Sequence, residues 1–187
     1  TRIESNLTPH TSMERALLGG GCFWCTEGAF KGIHGVESAL PAYAGGFDPN
    51  PRYEPVCSGT TGHAEIVEVV FDPTIVPFDT LLEVFFTVHD PTTPNRQGND
   101  VGPQYRSIVF YHDDDQRVMV DKVKTEYAPQ VWDDPIVTEL EAFDVFYPAE
   151  EYHHGYYQKV GERNPYCTFV ITPKVSKFRK MFSHKLV

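Results

Sequence analysis

The chain has 187 residues, 41% of them hydrophobic and 13% aromatic, which is enough for one sizeable core. Its formal net charge of −10 argues against a nucleic-acid-binding protein or a ligand of anionic membranes, because either needs a basic face. No apolar run approaches the roughly 20 residues of a membrane span. Composition therefore predicts a globular protein with a small neutral or peptide substrate and no nucleic-acid or membrane partner.

Residues 1–15 are predicted to be an N-terminal extension, and residues 16–187 a single catalytic domain. The first 12 residues lack the long apolar core of a signal peptide. The extension is either a plain addition or the remainder of a trimmed targeting segment, and the sequence leaves both open. A cytoplasmic monomer is the expectation for the whole chain.

Hydrophobic patterning predicts strands and helices that alternate along the chain. The clearest strand is 64–71, which is dense in Ile and Val and is stopped by Asp72 and Pro73. The clearest helix runs from residue 78 to about residue 89, behind Pro77. The other predicted strands are 16–18, 36–43, 105–111, 136–142 and 168–171. The other predicted helices are 23–30, 113–127 and 173–182.

The order strand, helix, strand, strand, helix, strand is similar to a split β-α-β unit with additions. It predicts an α/β (α+β) fold, a two-layer sandwich in which helices pack over one mixed sheet with a ferredoxin-like core. Neither a GxGxxG turn nor a P-loop lysine pattern is present, so nucleotide binding has no support.

Two long stretches without periodicity, 44–62 and 90–104, are rich in glycine and proline. Loops of that length inside a compact domain are commonly functional, so both are predicted to serve binding. A third segment, 147–160, is rich in Tyr and His and contains the adjacent His153 and His154. Adjacent residues do not face together on a helix and no HExxH pattern accompanies them, so no metal site is predicted.

Cys22 is the predicted nucleophile. It follows three glycines and precedes the predicted helix 23–30, which places its thiol at the N–H groups and positive dipole end of that helix. Such a position favours the thiolate, which is the reactive form of cysteine.

The chain has four cysteines, Cys22, Cys25, Cys57 and Cys167, too few for a disulfide-stapled scaffold of this length. Only Cys22 and Cys25 form a close pair, whereas a four-cysteine zinc site normally has two such pairs. The CxxC spacing of this pair is typical of dithiol oxidoreductases. Cys57 lies in a turn-rich loop and is interpreted as buried rather than reactive.

Several separated blocks of sequence carry a family resemblance. They are 21–24 (GCFW), 53–65 (YEPVCSGTTGHAE), 97–107 (QGNDVGPQYRS), 147–150 (YPAE) and 152–153 (YH). In this order they resemble the peptide-methionine sulfoxide reductase A family over residues 16–182. The resemblance implies reduction of the S epimer of methionine sulfoxide, free or in proteins, with no bound cofactor and with electrons finally drawn from thioredoxin.

The resemblance also implies residue roles. Cys22 would attack the sulfoxide sulfur and keep a sulfenic acid, and Glu65 would be the general acid. Phe23 and Trp24 would form the apolar pocket for the methyl group, with core packing as the alternative.

The remaining implied site residues lie on the predicted loops or directly after one of them. Tyr53 and Tyr105 would hydrogen-bond the sulfoxide oxygen, and Asp100 would help to position a water or the substrate. Packing within the loops is the alternative for each of the three. His153 is placed at the rim of the substrate site or in a structural role.

The cysteine that resolves the sulfenic acid is not fixed by the resemblance, because the glycine-rich cysteine tail of the best-known members is missing here. Cys25 is favoured, since it lies three residues from Cys22 and little chain has to move. Cys167 is second, because a residue that opens a predicted strand approaches the site less easily. Direct reduction by an outside thiol is the third possibility.

Two other classes of protein compete with this interpretation. The CxxC pair alone would fit a thioredoxin-like dithiol oxidoreductase acting on protein disulfides. Such a protein has no use for the tyrosine and glutamate blocks. The other class is a noncatalytic module that binds oxidised methionine peptides or zinc.

Overall fold

The computed structural model describes residues 13–155. Cys167, the predicted strand 168–171 and the predicted helix 173–182 lie outside the described residues. The strands are β1 Glu14–Gly19, β2 Val36–Ala44, β3 Ala64–Phe71, β4 Arg96–Gln97, β5 Asp100–Val101, β6 Ile108–Tyr111, β7 Glu139–Ala142 and β8 Phe146–Pro148. The helices are α1 Phe23–Phe30, α2 Tyr53–Cys57, α3 Phe78–Val88, α4 Asp114–Glu126 and α5 Ala128–Val131, with 3₁₀ turns at Pro103–Tyr105 and Glu151–His153.

The main sheet has six strands in the order β7-β6-β1-β3-β2-β8. Strand β3 lies between β1 and β2 and is antiparallel to both, so β1-α1-β2 is a split β-α-β unit. Strand β6 is antiparallel to β1 but parallel to β7, which makes the sheet mixed. The predicted fold class and its ferredoxin-like core are confirmed.

Alternation along β3 separates the two faces of the sheet. Val67, Val69 and Phe71 belong to the larger core, together with apolar residues of α1, α3 and α4. Ala64 and Ile66 point to the opposite face, into a smaller cluster with side chains of β1, β2 and β6. The alternation therefore places Glu65, between these two residues, on the face that carries the helices.

Several details of the predicted elements are wrong, and β7, for example, begins at Glu139 rather than at Ile136. Strand β6 begins at Ile108, not at Tyr105, because Gly102 and Pro103 open a 3₁₀ turn that includes Tyr105. The loop 44–62 contains α2, which has only five residues and is too short to show helical periodicity. No described helix is long and apolar enough to cross a membrane.

Helix α4 provides a test of the local capping that the sequence predicts. The Asp113 side chain accepts the Gln116 N–H at 2.8 Å, and we expect Asp113→Ala to lower the free energy of unfolding by about 1 kcal/mol. Asp115→Ala is the control, because it removes an exposed acid from the same turn without removing this bond. Urea denaturation measures both variants, and equal destabilisation would rule out a capping contribution.

Candidate active site

Cys22 lies at the turn between β1 and α1. Gly21 has φ +88°, and a Cβ there would lie 2.3 Å from Cγ of Gln97, so the loop 90–104 can approach this turn only because the residue is glycine. Cys22 is the N-cap residue of α1, with extended backbone angles, and only 4% of it is exposed. The N–H groups and the dipole of the first helical turn stabilise negative charge at such a position.

Glu65 reaches the start of the same helix from β3. The Phe23 N–H, which is adjacent to Cys22, donates to Oε1 of Glu65 at 3.4 Å. The second oxygen, Oε2, is buried and has no hydrogen-bond partner among residues 13–155. Burial raises the pKa of Glu65 well above its ordinary value, and the charges of Cys22 and Asp100 act in the same direction. Glu65 is thus a buried acid that keeps its proton beside the cysteine.

An aromatic cluster surrounds this pair. Phe23 is fully buried, and its ring lies 5.7 Å from Tyr43, 6.3 Å from Tyr53 and 5.2 Å from His153, measured between centroids. Trp24 is partly exposed, lies 6.0 Å from Tyr53 and donates its indole N–H to Nδ1 of His153 at 3.1 Å. The cluster forms an apolar wall next to Cys22 with one partly open face.

Two tyrosines bring hydroxyl groups to the site from different loops. Tyr53 begins α2 and Tyr105 ends the 3₁₀ turn of the second loop, and both interact electrostatically with Glu65. Burial raises the pKa of each phenol, so both remain proton donors. The charge of Asp100, on β5, raises the pKa of both Glu65 and Tyr105. The structure therefore brings together the residues that the resemblance selected.

Two side chains fasten these loops to each other. Gln104 donates to the carbonyl oxygen of Cys57 at 2.9 Å. Arg106 donates to Pro103 O at 2.8 Å and to Gly62 O at 3.1 Å. Hydrogen bonds from Gln104 and Arg106 thus join the loop 44–62 to the segment that contains Tyr105.

Cys25 occupies the third position of α1, where its N–H donates to Cys22 O at 3.1 Å. It is 5% exposed and lines a cavity with Phe85 and His89 behind the helix.

The interpretation of Cys57 as buried rather than reactive stays a prediction, and the structure places this residue beside the site. Cys57 is half-buried, hydrogen-bonds with both Tyr53 and Tyr105, and interacts electrostatically with Cys22 and Glu65. Burial raises the pKa of its thiol, while the bonds from the two tyrosines oppose that change. The spacing of Tyr53 and Cys57, four residues apart on a helix, could have indicated the contact.

Glu150 and Tyr43 were also missed as site residues. The Tyr43 hydroxyl donates to Oε2 of Glu150 at 3.3 Å, and the Tyr53 N–H donates to Oε1 at 3.0 Å. Both contacts join residues about a hundred positions apart, and no local pattern encodes them. Within residues 13–155, no group of three or more His, Cys, Asp or Glu side chains is arranged to hold a metal ion.

A cysteine at a helix start, a buried carboxyl with a raised pKa beside it and an aromatic wall are typical of the site of a thiol-dependent oxidoreductase. The family model of peptide methionine sulfoxide reductase matches residues 14–186. A peptide methionine sulfoxide reductase of Saccharolobus solfataricus is 54% identical over 174 residues, covering 93% of this chain and 97% of the relative.

Solved structures are also similar to this chain. The reduced form of Mxr1 from Saccharomyces cerevisiae superposes with a TM-score of 0.74 at 36% identity, covering 81% of this chain and 87% of that one. Mxr1 in complex with Trx2 superposes with a TM-score of 0.53 at 28% identity, covering 74% and 82%. The chain belongs to the peptide methionine sulfoxide reductase family and is an oxidoreductase that reduces methionine sulfoxide. A thioredoxin-like disulfide oxidoreductase is not favoured.

The pH dependence of the stability of the protein tests whether Glu65 is protonated in the native state. Between its ordinary pKa and its raised pKa, the native state holds a proton that the unfolded state has lost, so stability falls as pH rises. Glu65→Gln removes this dependence. We expect its free energy of unfolding, relative to the parent, to increase with pH above about 5 by up to roughly 1 kcal/mol per pH unit.

Urea denaturation at several pH values measures this difference. Glu68→Gln is the matched control, because Glu68 is a neighbouring carboxylate on β3 whose Oε2 lies 3.5 Å from Arg15 Nη1. That variant is not expected to gain stability with pH. A Glu65→Gln difference that stays constant across pH would contradict a protonated Glu65.

Proposed function

We propose that the chain reduces the S epimer of methionine sulfoxide, free and in proteins, through the thiolate of Cys22. The thiolate attacks the sulfoxide sulfur, the oxygen passes to the cysteine, and methionine leaves. The balance is one thiol and one sulfoxide converted to one sulfenic acid and one thioether. The position of Cys22 at the start of α1 supports this role, since the helix start stabilises the attacking anion.

The proposal depends on the burial of Glu65 beside Cys22. A sulfoxide oxygen can leave sulfur only if a proton reaches it, and Glu65 holds a proton in a dry site beside Cys22. Its unpartnered Oε2 is the atom from which the proton is delivered. Burial maintains the acid form, because ionisation would leave an unpaired charge in a medium of low dielectric constant.

The surrounding residues select the substrate. Phe23 and Trp24 form the apolar wall that takes the methyl group. The phenols of Tyr53 and Tyr105 donate to the sulfoxide oxygen, and Asp100 helps to position the substrate or a water. The apolar wall lies on one side of the sulfur and the hydrogen-bond donors lie on the other. In the opposite epimer the methyl group and the oxygen exchange places, so neither the apolar contact nor the hydrogen bonds can form.

Cys25 resolves the sulfenic acid. Its thiol attacks the sulfur of Cys22, a disulfide forms and water leaves. The N-cap residue of a helix and the third helical residue lie on one turn, so the pair closes with little movement of the backbone. Cys167 and direct reduction by an outside thiol are the competing routes.

Thioredoxin supplies the electrons that reopen the disulfide. The likeness to Mxr1 solved in complex with Trx2 supports this partner. A dithiol protein attacks the Cys22–Cys25 disulfide, leaves with its own disulfide and restores both thiols. No bound cofactor is needed, because all electrons pass between sulfur atoms.

Cysteine variants separate these routes. Cys22→Ser is expected to lower the reduction of methionine S-sulfoxide by at least about a thousandfold, because the nucleophile is lost. Cys25→Ser is expected to release one methionine per enzyme and to slow thioredoxin-dependent turnover by about tenfold or more. Mass spectrometry of peptides from enzyme treated with sulfoxide and no reductant identifies the disulfide.

Cys57→Ser is the matched control, because a hydroxyl can replace its thiol between the two tyrosines. It is expected to retain the Cys22–Cys25 disulfide. A disulfide of Cys22 with Cys167 or Cys57, or full turnover of Cys25→Ser, would exclude Cys25 as the resolving residue.

The pH dependence of the rate tests the role of Glu65. Since the acid form is required, the rate of methionine release is expected to fall as pH rises through the raised pKa of Glu65. Glu65→Gln is expected to react slowly and to lack this alkaline decrease, measured by single-turnover assays from pH 5 to 9. An unchanged pH profile in the variant would assign the proton donor to another group.

A further inference from the structure

We infer that Glu150 is a positioning residue for the methyl pocket, acting on Trp24 through His153 and on Tyr53 through its backbone. This inference rests on the proposed function of the pocket. It concerns a carboxylate that neither touches Cys22 nor carries out proton transfer.

The two oxygens of Glu150 reach three separate elements. Oε1 accepts the N–H of Tyr53, the first residue of α2, at 3.0 Å. Oε2 accepts the hydroxyl of Tyr43 on β2 at 3.3 Å and lies 3.1 Å from Nε2 of His153. Tyr43 and Tyr53 both pack against Phe23, so one carboxylate fixes the residues around the ring next to Cys22.

His153 transmits this contact to Trp24. Its Nδ1 accepts the indole N–H of Trp24 at 3.1 Å, so the proton of the neutral ring is on Nε2. Nε2 lies 3.1 Å from Oε2 of Glu150, an ion-pair distance without the geometry of a hydrogen bond. A negative oxygen beside Nε2 stabilises this tautomer. His153 is 1% exposed, and its ring contacts Phe23 at 5.2 Å and Tyr53 at 4.5 Å. The contacts of Glu150 with His153 and of His153 with Trp24 therefore set the orientation of the indole ring.

The charge state of His153 depends on the same carboxylate. Burial lowers the pKa of His153, Glu150 opposes this effect, and His154 adds to it. Tyr152 on the same turn and Tyr53 from α2 are the other titratable groups that face the ring. Protonation would turn Nδ1 into a donor and remove the acceptor of the Trp24 N–H.

Glu150→Gln tests the inference, because the amide cannot accept from all these donors and presents N–H groups to Nε2 of His153. We expect the KM for free methionine S-sulfoxide to rise about tenfold and kcat to change less than about threefold, since the pocket is loosened without loss of the nucleophile or acid. Glu151→Gln is the matched control, because it removes an exposed carboxylate one residue away.

The fluorescence of Trp24 supplies a readout that does not depend on turnover. The chain has two tryptophans, so a Trp132→Phe background leaves Trp24 alone. Its emission is expected to titrate with His153, whose ring centroid lies 5.6 Å away. Glu150→Gln is expected to move the midpoint to lower pH, because the charge that stabilises the imidazolium is gone.

The inference requires both the rise in KM and the shift of the fluorescence midpoint in Glu150→Gln. A KM within twofold of that of Glu151→Gln, or an unmoved midpoint, overturns the inference. If no variant and no parent releases methionine, the proposed function fails, while the fluorescence titration still tests the contact of Glu150 with His153 and Trp24.

A second pair of variants applies if Glu150→Gln does not fold by circular dichroism. His153→Gln keeps an acceptor for Trp24 and a donor for Glu150, and is expected to retain a KM near that of the parent. His153→Leu loses both groups and is expected to raise KM by about tenfold. Equal KM values in the two variants overturn the inference.

Discussion

The contact of a buried carboxyl with the first turn of α1 is the constraint on which the site depends. The Phe23 N–H that binds Glu65 belongs to the residue after Cys22, so one hydrogen bond holds the carboxyl beside the cysteine. The register of β2 and β3 places Tyr43 opposite Glu65, which keeps the carboxyl beneath aromatic rings and away from water. The same desolvation that destabilises the fold at high pH keeps the proton available for chemistry.

Much of this arrangement follows from local sequence. Strand β3 and helix α1 have the predicted bounds, because dense β-branched residues and a glycine-rich start followed by apolar residues are strong local patterns. Glu65 lies on the helix-covered face because side chains alternate along a strand. The choice of Glu65 over Glu68 nevertheless came from family resemblance, since both carboxyls alternate with apolar neighbours.

Other features depend on contacts that no local pattern contains. Helix α2 has only five residues, and its N–H contact with Glu150 comes from the far end of the described chain. The contact of Cys57 with Tyr105 joins two separate segments of the chain, so no local pattern reveals it. His153 was predicted at the rim of the substrate site or in a structural role, and the structure buries it beside Phe23, far away in sequence. The roles of these residues remain predictions until the variants are measured.

The burial of Cys22 has a consequence for the proteins that the enzyme can repair. Because only 4% of Cys22 is exposed, a substrate side chain has to extend away from its own backbone to reach the thiol. An oxidised methionine inside a folded core cannot extend in this way. We therefore expect repair to follow the local unfolding of the damaged protein, so that the enzyme acts first on the regions that oxidation has already loosened.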